Sequence, residues 1–392
     1  MKKILFVSYF LPPFNSPQSI QIGRLLKYFS LNSEYEIAVV TANQSNVSKD
    51  NELYPDIFEN VKEVIYMDDK AKNKYFRYAV NILLPSLYQL PDEYKDWHQK
   101  SYVKIIEKFE KNSFDLILTF SFPLSSNILG KKLKEYFGCE WIAHQSDPWA
   151  SNHFNNYSKS INQRNLQLEK DCFELADKII FTSDETKDFY RNRYQELEQK
   201  FYVLEHTNDS SLYPEKIIID RNKKVIRYIG GFYGSRTPEP IYKAIDKLKK
   251  ENRNINFVFE IYGFGRSITK LLKKYDISEY VAFKGGVSYL KSLELMVEAD
   301  LLVLIDAPSS QKSIFFPSKL VDYIGSKTPI VVISPDGTSK RVANENGLHY
   351  FDLDETEKIA DFLENIDNLE AYYENRYDVK NNIKDFIRII EL

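Results

Sequence analysis

Apolar runs too unbroken for a half-exposed strand recur along this chain, and helical patterning follows most of them. "ILFVSYF", "YEIAVVTA", "DLILTFS", "EWIAHQS" and "KIIFTS" occur in the first half, and "VIRYIGG", "INFVFEIYG", "YVAFKGG", "DLLVLID" and "PIVVIS" in the second. A strand that is apolar on both faces needs cover on both faces, which in practice means a parallel sheet flanked by helices. The intervening segments supply them: "SIQIGRLLKYF" sets Ile22, Leu25, Leu26 and Phe29 on one helical stripe. Helices are expected around 124–137, around 158–176, after Asp184, from Pro238, after Arg266 and around 288–298. The class is α/β with doubly wound sheets.

The alternation lapses once, at "HTNDSSLYPEKIIIDRNKK", which is rich in turn formers and charge. We expect a Rossmann-like domain over 1–206, a linker over 207–223, a second Rossmann-like domain over 224–365, and a helical segment over 366–392 that crosses back to the first. A chain of 392 residues is long enough for two cores. Ligands of such sheets bind beyond the carboxyl ends of the strands, so if two sheets face each other the site is the cleft between them.

Bulk properties exclude several classes. The 53 basic and 56 acidic residues nearly cancel, giving no global attraction to nucleic acid. Two cysteines, Cys139 and Cys172, make neither a disulfide framework nor a metal-ligand spacing, and both are expected to be small buried residues. With five histidines and no HExxH or GxSxG pattern, zinc hydrolase and serine esterase chemistry lack support and no metal is expected. The first apolar run contains Ser8 and is closed by Pro12 and Pro13, which suits a core strand better than a signal peptide. A cytoplasmic protein is the expectation.

Two loops of the second half suit an anionic ligand. "FFPSKLVDYIG" starts a helix near Pro317 or Ser318 and puts Lys319 in its first turn, where a cation opposes the helix dipole unless an anion is bound there. The alternative is a solvated Lys319 paired with Asp322. "IGGFYGSRTPEP" follows a strand with Gly230, Gly231, Gly234 and then Arg236, whose fork of donors suits phosphate oxygens, with Thr237 and Pro238 opening the next helix. It is neither a Walker loop nor GxGxxG. Gly263 and Gly265 flank Phe264, leaving room for a flat ring, and Val287 is a candidate for backbone contact to a base. In the first half, "WIAHQSDPWASN" ends a strand at His144, with Asp147 and Trp149 just beyond it in ligand-facing positions, and Asn15, Ser16 and Gln18 line the same rim as a candidate acceptor pocket.

"SDPW", "YIGGFYGSRTPEPI", "EADLLVLID" and "FFPSKLVDYIGSKTPIVVIS", in that order, resemble the bacterial glycosyltransferases of family 4, most of all the branch acting in capsule, O-antigen and exopolysaccharide assembly. The resemblance implies a GT-B fold with a nucleotide-sugar donor in the C-terminal domain and a glycan or lipid-linked acceptor in the N-terminal one. It implies metal-independent, retaining transfer in which Arg236 and Lys319 hold the donor diphosphate while Gly231, Gly234, Gly263, Phe264, Gly265, Val287, Pro317 and Ser318 line the nucleotide. Asp322 takes the place of the family's ribose-contacting glutamate, but the carboxylate usual eight residues earlier is Ile314 here, and the Gly-Gly expected after the first strand is replaced by "FNSPQS". Asp147 would position the acceptor or face the oxocarbenium-like sugar. A nucleotide-sugar epimerase and a non-catalytic nucleotide-binding subunit stay open as alternatives. Lys70, Lys72, Lys74, Arg77, Tyr75 and Phe76 within 68–91 suit peripheral contact with the inner membrane surface, and equally a protein-packed helix.

Overall fold

The computed structural model describes residues 1–43, 50–68, 83–152, 157–216, 219, 221–308, 312–371 and 374–392. The basic residues expected to touch lipid fall outside this set. The chain divides into two compact units, Met1–Glu205 with Val379–Leu392, and His206–Asp378.

In the first unit the elements run β1 Lys2–Ser8, α1 Pro17–Phe29, β2 Tyr35–Asn43, β3 Glu63–Asp68, α2 Ser86–Gln89, α3 Lys95–Lys108, β4 Leu116–Ser121, α4 Ser125–Phe137, β5 Glu140–Gln145, α5 Lys159–Leu175, β6 Lys178–Phe181, α6 Asp184–Arg193 and β7 Phe201–Val203. The sheet is ordered β3-β2-β1-β4-β5-β6-β7, every pair parallel. The order reverses between β1 and β4, the switch point of a doubly wound sheet. Along β1, Ile4 to Val7 are wholly buried, as a run apolar on both faces demands.

The second unit runs β8 Lys224–Ile229, α7 Glu239–Lys250, β9 Phe257–Tyr262, α8 Ser267–Tyr275, β10 Val281–Gly285, α9 Tyr289–Val297, β11 Leu301–Ile305, α10 Ser318–Gly325, β12 Ile330–Ile333, α11 Thr338–Glu345, β13 His349–Phe351 and α12 Thr356–Glu364. Its parallel sheet is ordered β10-β9-β8-β11-β12-β13, with the switch between β8 and β11. The stretch 207–223 lies within this unit. The last helix, α13 Val379–Glu391, returns to the first unit: Phe386 packs edge-on against Phe29 of α1, and Lys2 Nζ donates to the Ile390 carbonyl at 3.2 Å.

Among the elements without a counterpart in the sequence reading are β3, α3, α11 and β13. β3 is an edge strand that buries only Ile65 and Met67, so its pattern is half polar. α3 carries four lysines over one buried stripe, Trp97, His98, Ser101 and Ile105. Cys172 is buried and Cys139 is only half-buried, which corrects the expectation for the latter.

The first unit's interior also holds a charge. Glu169 on α5 is wholly buried and accepts from the Ala150 amide, Tyr190, Tyr194 and Arg193 at 2.7–2.9 Å. Every acceptor direction of the carboxylate is thus taken, the condition under which a buried ion is tolerated.

Candidate active site

The second unit gathers cationic groups at the carboxyl ends of β8 and β11. Strand β8 ends at Ile229 and passes into Gly230, whose φ of +144° suits glycine alone. The Gly230 carbonyl lies so near Gly263 that a Cβ on Gly263 would sit 1.9 Å from it, and the amides of Gly230 and Phe232 donate to Tyr262 and Phe264, each at 2.7 Å. The loops after β8 and β9 are therefore stitched together, with the Phe264 ring over Gly231 and 66% exposed. Gly234 has a φ of +60° in the turn that leads to Arg236. Helix α7 starts at Glu239, one residue later than the sequence suggests, with Thr237 Oγ1 accepting from the Glu239 amide at 3.3 Å.

Arg236 is 8% exposed. One terminal nitrogen donates to Asp306 Oδ1 at 2.8 Å, the other to the Tyr233 hydroxyl at 3.3 Å, and its Nε is buried without a partner. Burial works against its charge, but Asp306, helped by Tyr228 and Tyr233, holds the guanidinium above its ordinary range.

Helix α10 begins at Ser318 with Pro317 as its cap, so Ser318 is the first helical residue and Lys319 the second. Lys319 Nζ donates to the Tyr228 hydroxyl at 2.8 Å and stands 4.4 Å from that ring's centroid. The pairing with Asp322 does not form, since Asp322 is buried and accepts from the Tyr289 hydroxyl at 2.9 Å. Taken whole, the Lys319 side chain is half-buried, while its ammonium end is set deep among protein atoms. Burial there, reinforced by the Arg236 charge and only partly offset by Asp306, holds it well below the usual lysine range. A Cβ on Gly230 would lie 2.5 Å from this nitrogen, so glycine is what gives the ammonium its seat.

The structure thus brings Arg236 and Lys319 together, each within electrostatic reach of Tyr228, beside the first turn of α10 and the glycine loops. Val287 lies just beyond β10 and is 37% exposed, on the same strand-end side. Phosphate binding at such a switch point, by cations and helix-start amides, is ordinary α/β chemistry. Tyr228, Tyr233, Tyr289 and Asp306 escape the sequence reading; an acid closing the apolar run "DLLVLID" was the one visible signal.

In the first unit, His144 is buried near the end of β5 with Nδ1 unpartnered, and burial, opposed by its bond to the Ser121 backbone, pushes it down to about 4. Gln18 donates to the Ser121 carbonyl at 2.9 Å and accepts from the Ser146 hydroxyl at 3.1 Å, drawing together the ends of β4 and β5 with the start of α1. Asp147 exposes its side chain at the surface, yet its carboxyl is surrounded by protein mass, which pushes it up to about 6. Asn15 is half-buried, and Ser16 caps α1 by accepting from the Ser19 amide. Trp149 departs from expectation. It is wholly buried, donates through its indole to Asn165 at 3.1 Å, and belongs to the core.

Among the described residues, no group of three or more His, Cys, Asp or Glu side chains is placed to hold a metal ion. Nor is any of their helices long and apolar enough to cross a membrane.

Residues 209–386 match the family described as glycosyl transferases group 1. No curated protein matches the chain in sequence. Among solved structures it is similar to HepE of Anabaena in complex with UDP and glucose, at 13% identity over 100% of both chains with a TM-score of 0.65. It is similar to the lipopolysaccharide outer core galactosyltransferase WaaB in its apo form, at 14% identity over 99% of each chain and a TM-score of 0.62. It also resembles WaaG, a glycosyltransferase involved in lipopolysaccharide biosynthesis, at 16% identity over 93% of this chain and 90% of that one, with a TM-score of 0.58. The chain thus has the GT-B fold of two Rossmann-like units, and its residues 209–386 form a glycosyl transferases group 1 domain.

Proposed function

We propose that the protein moves a sugar from a nucleoside-diphosphate sugar to a glycan or lipid-linked acceptor in bacterial surface polysaccharide synthesis, with retention and without a metal ion. The observation that carries this reading is the convergence of Arg236 and Lys319 on one strand-end site in the second unit. Breaking the anomeric C–O bond leaves negative charge on the departing diphosphate. Two fixed cations and the first amides of α10 stabilise that charge where it develops, which is preorganised electrostatic catalysis.

The base rests near Val287 and the exposed ring of Phe264, which offers a stacking face. Asp322 contacts the ribose from its place one turn beyond Lys319. In the first unit, Asn15, Gln18, His144 and Asp147 take the acceptor. UDP stands as the first nucleotide to test because solved relatives are described with it. Location on the cytoplasmic face of the membrane follows from where activated nucleotide-sugars and lipid-linked acceptors meet.

Thermal shifts against UDP, GDP, CMP and dTDP identify the nucleotide, and a ligand at 100 times its Kd adds about 2.7 kcal/mol of stability. Incubation with the matching nucleotide-sugar in EDTA then reads the chemistry. Slow release of free sugar supports transfer, isomerised sugar supports an epimerase, and no response to any nucleotide removes the reading.

A further inference from the structure

Asp306 closes β11 and is 2% exposed. Its Oδ1 accepts from Arg236 at 2.8 Å and from the Ala307 amide at 2.8 Å, and its Oδ2 accepts from the hydroxyls of Ser313 at 3.4 Å and Ser339 at 3.2 Å. With both oxygens engaged from inside the protein and almost no surface, this carboxylate is not available to a sugar or a phosphate. What it does touch is the guanidinium.

The donors come from separate loops. Arg236 follows β8, Ser313 lies between β11 and α10, and Ser339 is in the first turn of α11. Ser313 is fixed in turn: its amide donates to the Asp336 carbonyl at 2.7 Å, its carbonyl accepts from the Thr338 amide at 2.8 Å, and a Cβ on Gly337 would stand 2.0 Å from that carbonyl. The loop pair therefore aims two hydroxyls at one oxygen of Asp306 and leaves the other for Arg236.

We infer that Asp306 is a positioning residue of the diphosphate site: locked by Ser313 and Ser339, it fixes the Arg236 guanidinium beside Lys319. This rests on the reading of Arg236 and Lys319 as the diphosphate-binding pair. The pairing has a cost. Asp306 brings a negative charge next to a site for an anion, reducing Arg236, Lys319 and Asp306 together from two positive charges to one. A chain that keeps a carboxylate there gains through orientation what it gives up in Coulomb attraction, since a buried guanidinium without a fixed partner would lose its aim.

The two effects have opposite signs in the isosteric variant Asp306→Asn, which keeps the shape and an acceptor oxygen but removes the charge. Coulomb attraction alone makes inorganic pyrophosphate and UDP bind more tightly to it. Positioning makes both bind more weakly, by about tenfold, the worth of one charge-assisted hydrogen bond. Titration calorimetry of the full-length wild type, D306N, R236A and R236A/D306N with each probe decides. We expect weaker binding in D306N and no further loss when the change is made on R236A, because Asp306 acts through Arg236 alone. Ser339→Ala, which removes one hydroxyl from Oδ2, serves as a milder variant with a smaller loss in the same direction. Equal or tighter binding by D306N and S339A, or losses that multiply in the double variant, overturns the inference while the diphosphate site stands. Wild-type protein that binds neither probe overturns the site itself and the inference with it.

Discussion

Lys319→Met makes the resting protein more stable and the nucleotide-bound protein less so. Methionine has similar length and needs no water, and the structure shows what the lysine lacks. Its one hydrogen-bond partner among the described residues is a neutral hydroxyl, it stands near Arg236, and its ammonium is held well below the usual lysine range by burial. The change removes that unfavourable charge and strands nothing, since the Tyr228 hydroxyl still donates to the Gly231 carbonyl at 3.1 Å. Toward a diphosphate the sign reverses. One lost charge-assisted hydrogen bond costs about 1.5–3 kcal/mol, or roughly 10- to 150-fold in Kd. UDP at 100 times the wild-type Kd stabilises wild type by about 2.7 kcal/mol and the variant by only about 0.3–1.4 kcal/mol. With roughly 2–4 °C of Tm per kcal/mol for a domain of this size, the ligand-induced shift falls from about 5–11 °C to about 1–6 °C. The assay is calorimetric or dye-based melting with and without UDP. pH adds a second axis. A lysine whose folded pKa lies below 10.5 binds fewer protons folded than unfolded, so wild-type stability rises with pH through the window between the folded value and 10.5. The variant's advantage in the absence of ligand shrinks across that window. A lower Tm for the unliganded variant together with an undiminished UDP shift refutes the reasoning.

Phe264→Ala, at a ring that is 66% exposed, leaves the unliganded Tm unchanged and weakens UDP by about 1–3 kcal/mol while sparing inorganic pyrophosphate, as paired titrations will read. Gly263→Ala forces a Cβ to within 1.9 Å of the Gly230 carbonyl at a φ of +148°, so the two glycine loops part and UDP no longer shifts the melting curve. Glu169→Ala strands Arg193 in the first unit and costs about 3–5 kcal/mol in denaturant unfolding, with no change in UDP affinity. Trp149→Ala costs about 3–5 kcal/mol by cavity formation and leaves the acceptor KM unchanged; a raised KM would return the indole to the acceptor site.

The strands were legible because burial on both faces leaves no polar position in a run, and Ile4 to Val7 or Leu301 to Ile305 show that directly. Lys319 was legible for the opposite reason: a cation in the first turn of a helix contradicts local electrostatics and needs a partner from elsewhere. Tyr228 was not, because a tyrosine inside an apolar strand reads as core, and it is core except for the hydroxyl that meets Lys319. Asp306 and Arg236 stand 70 residues apart, and periodicity carries no information about which strand ends become neighbours. Trp149 misled for a related reason. A position just beyond a strand can face a ligand or fold under, and here the indole's bond to Asn165 took it inward.

The return of α13 to the first unit has a consequence for synthesis. His206–Asp378 is spliced into the other unit's sequence just ahead of its last helix, and the two chain crossings are tied side by side through the Asn208 amide and the Tyr377 carbonyl at 2.8 Å. During translation the interrupted unit therefore waits, with Phe29 and Tyr35 uncovered, until the ribosome has delivered Phe386 and Glu391. The inserted one can close its sheet well before that. A nonsense codon anywhere in the last helix would then spare the inserted unit and leave its host open to chaperones and proteases.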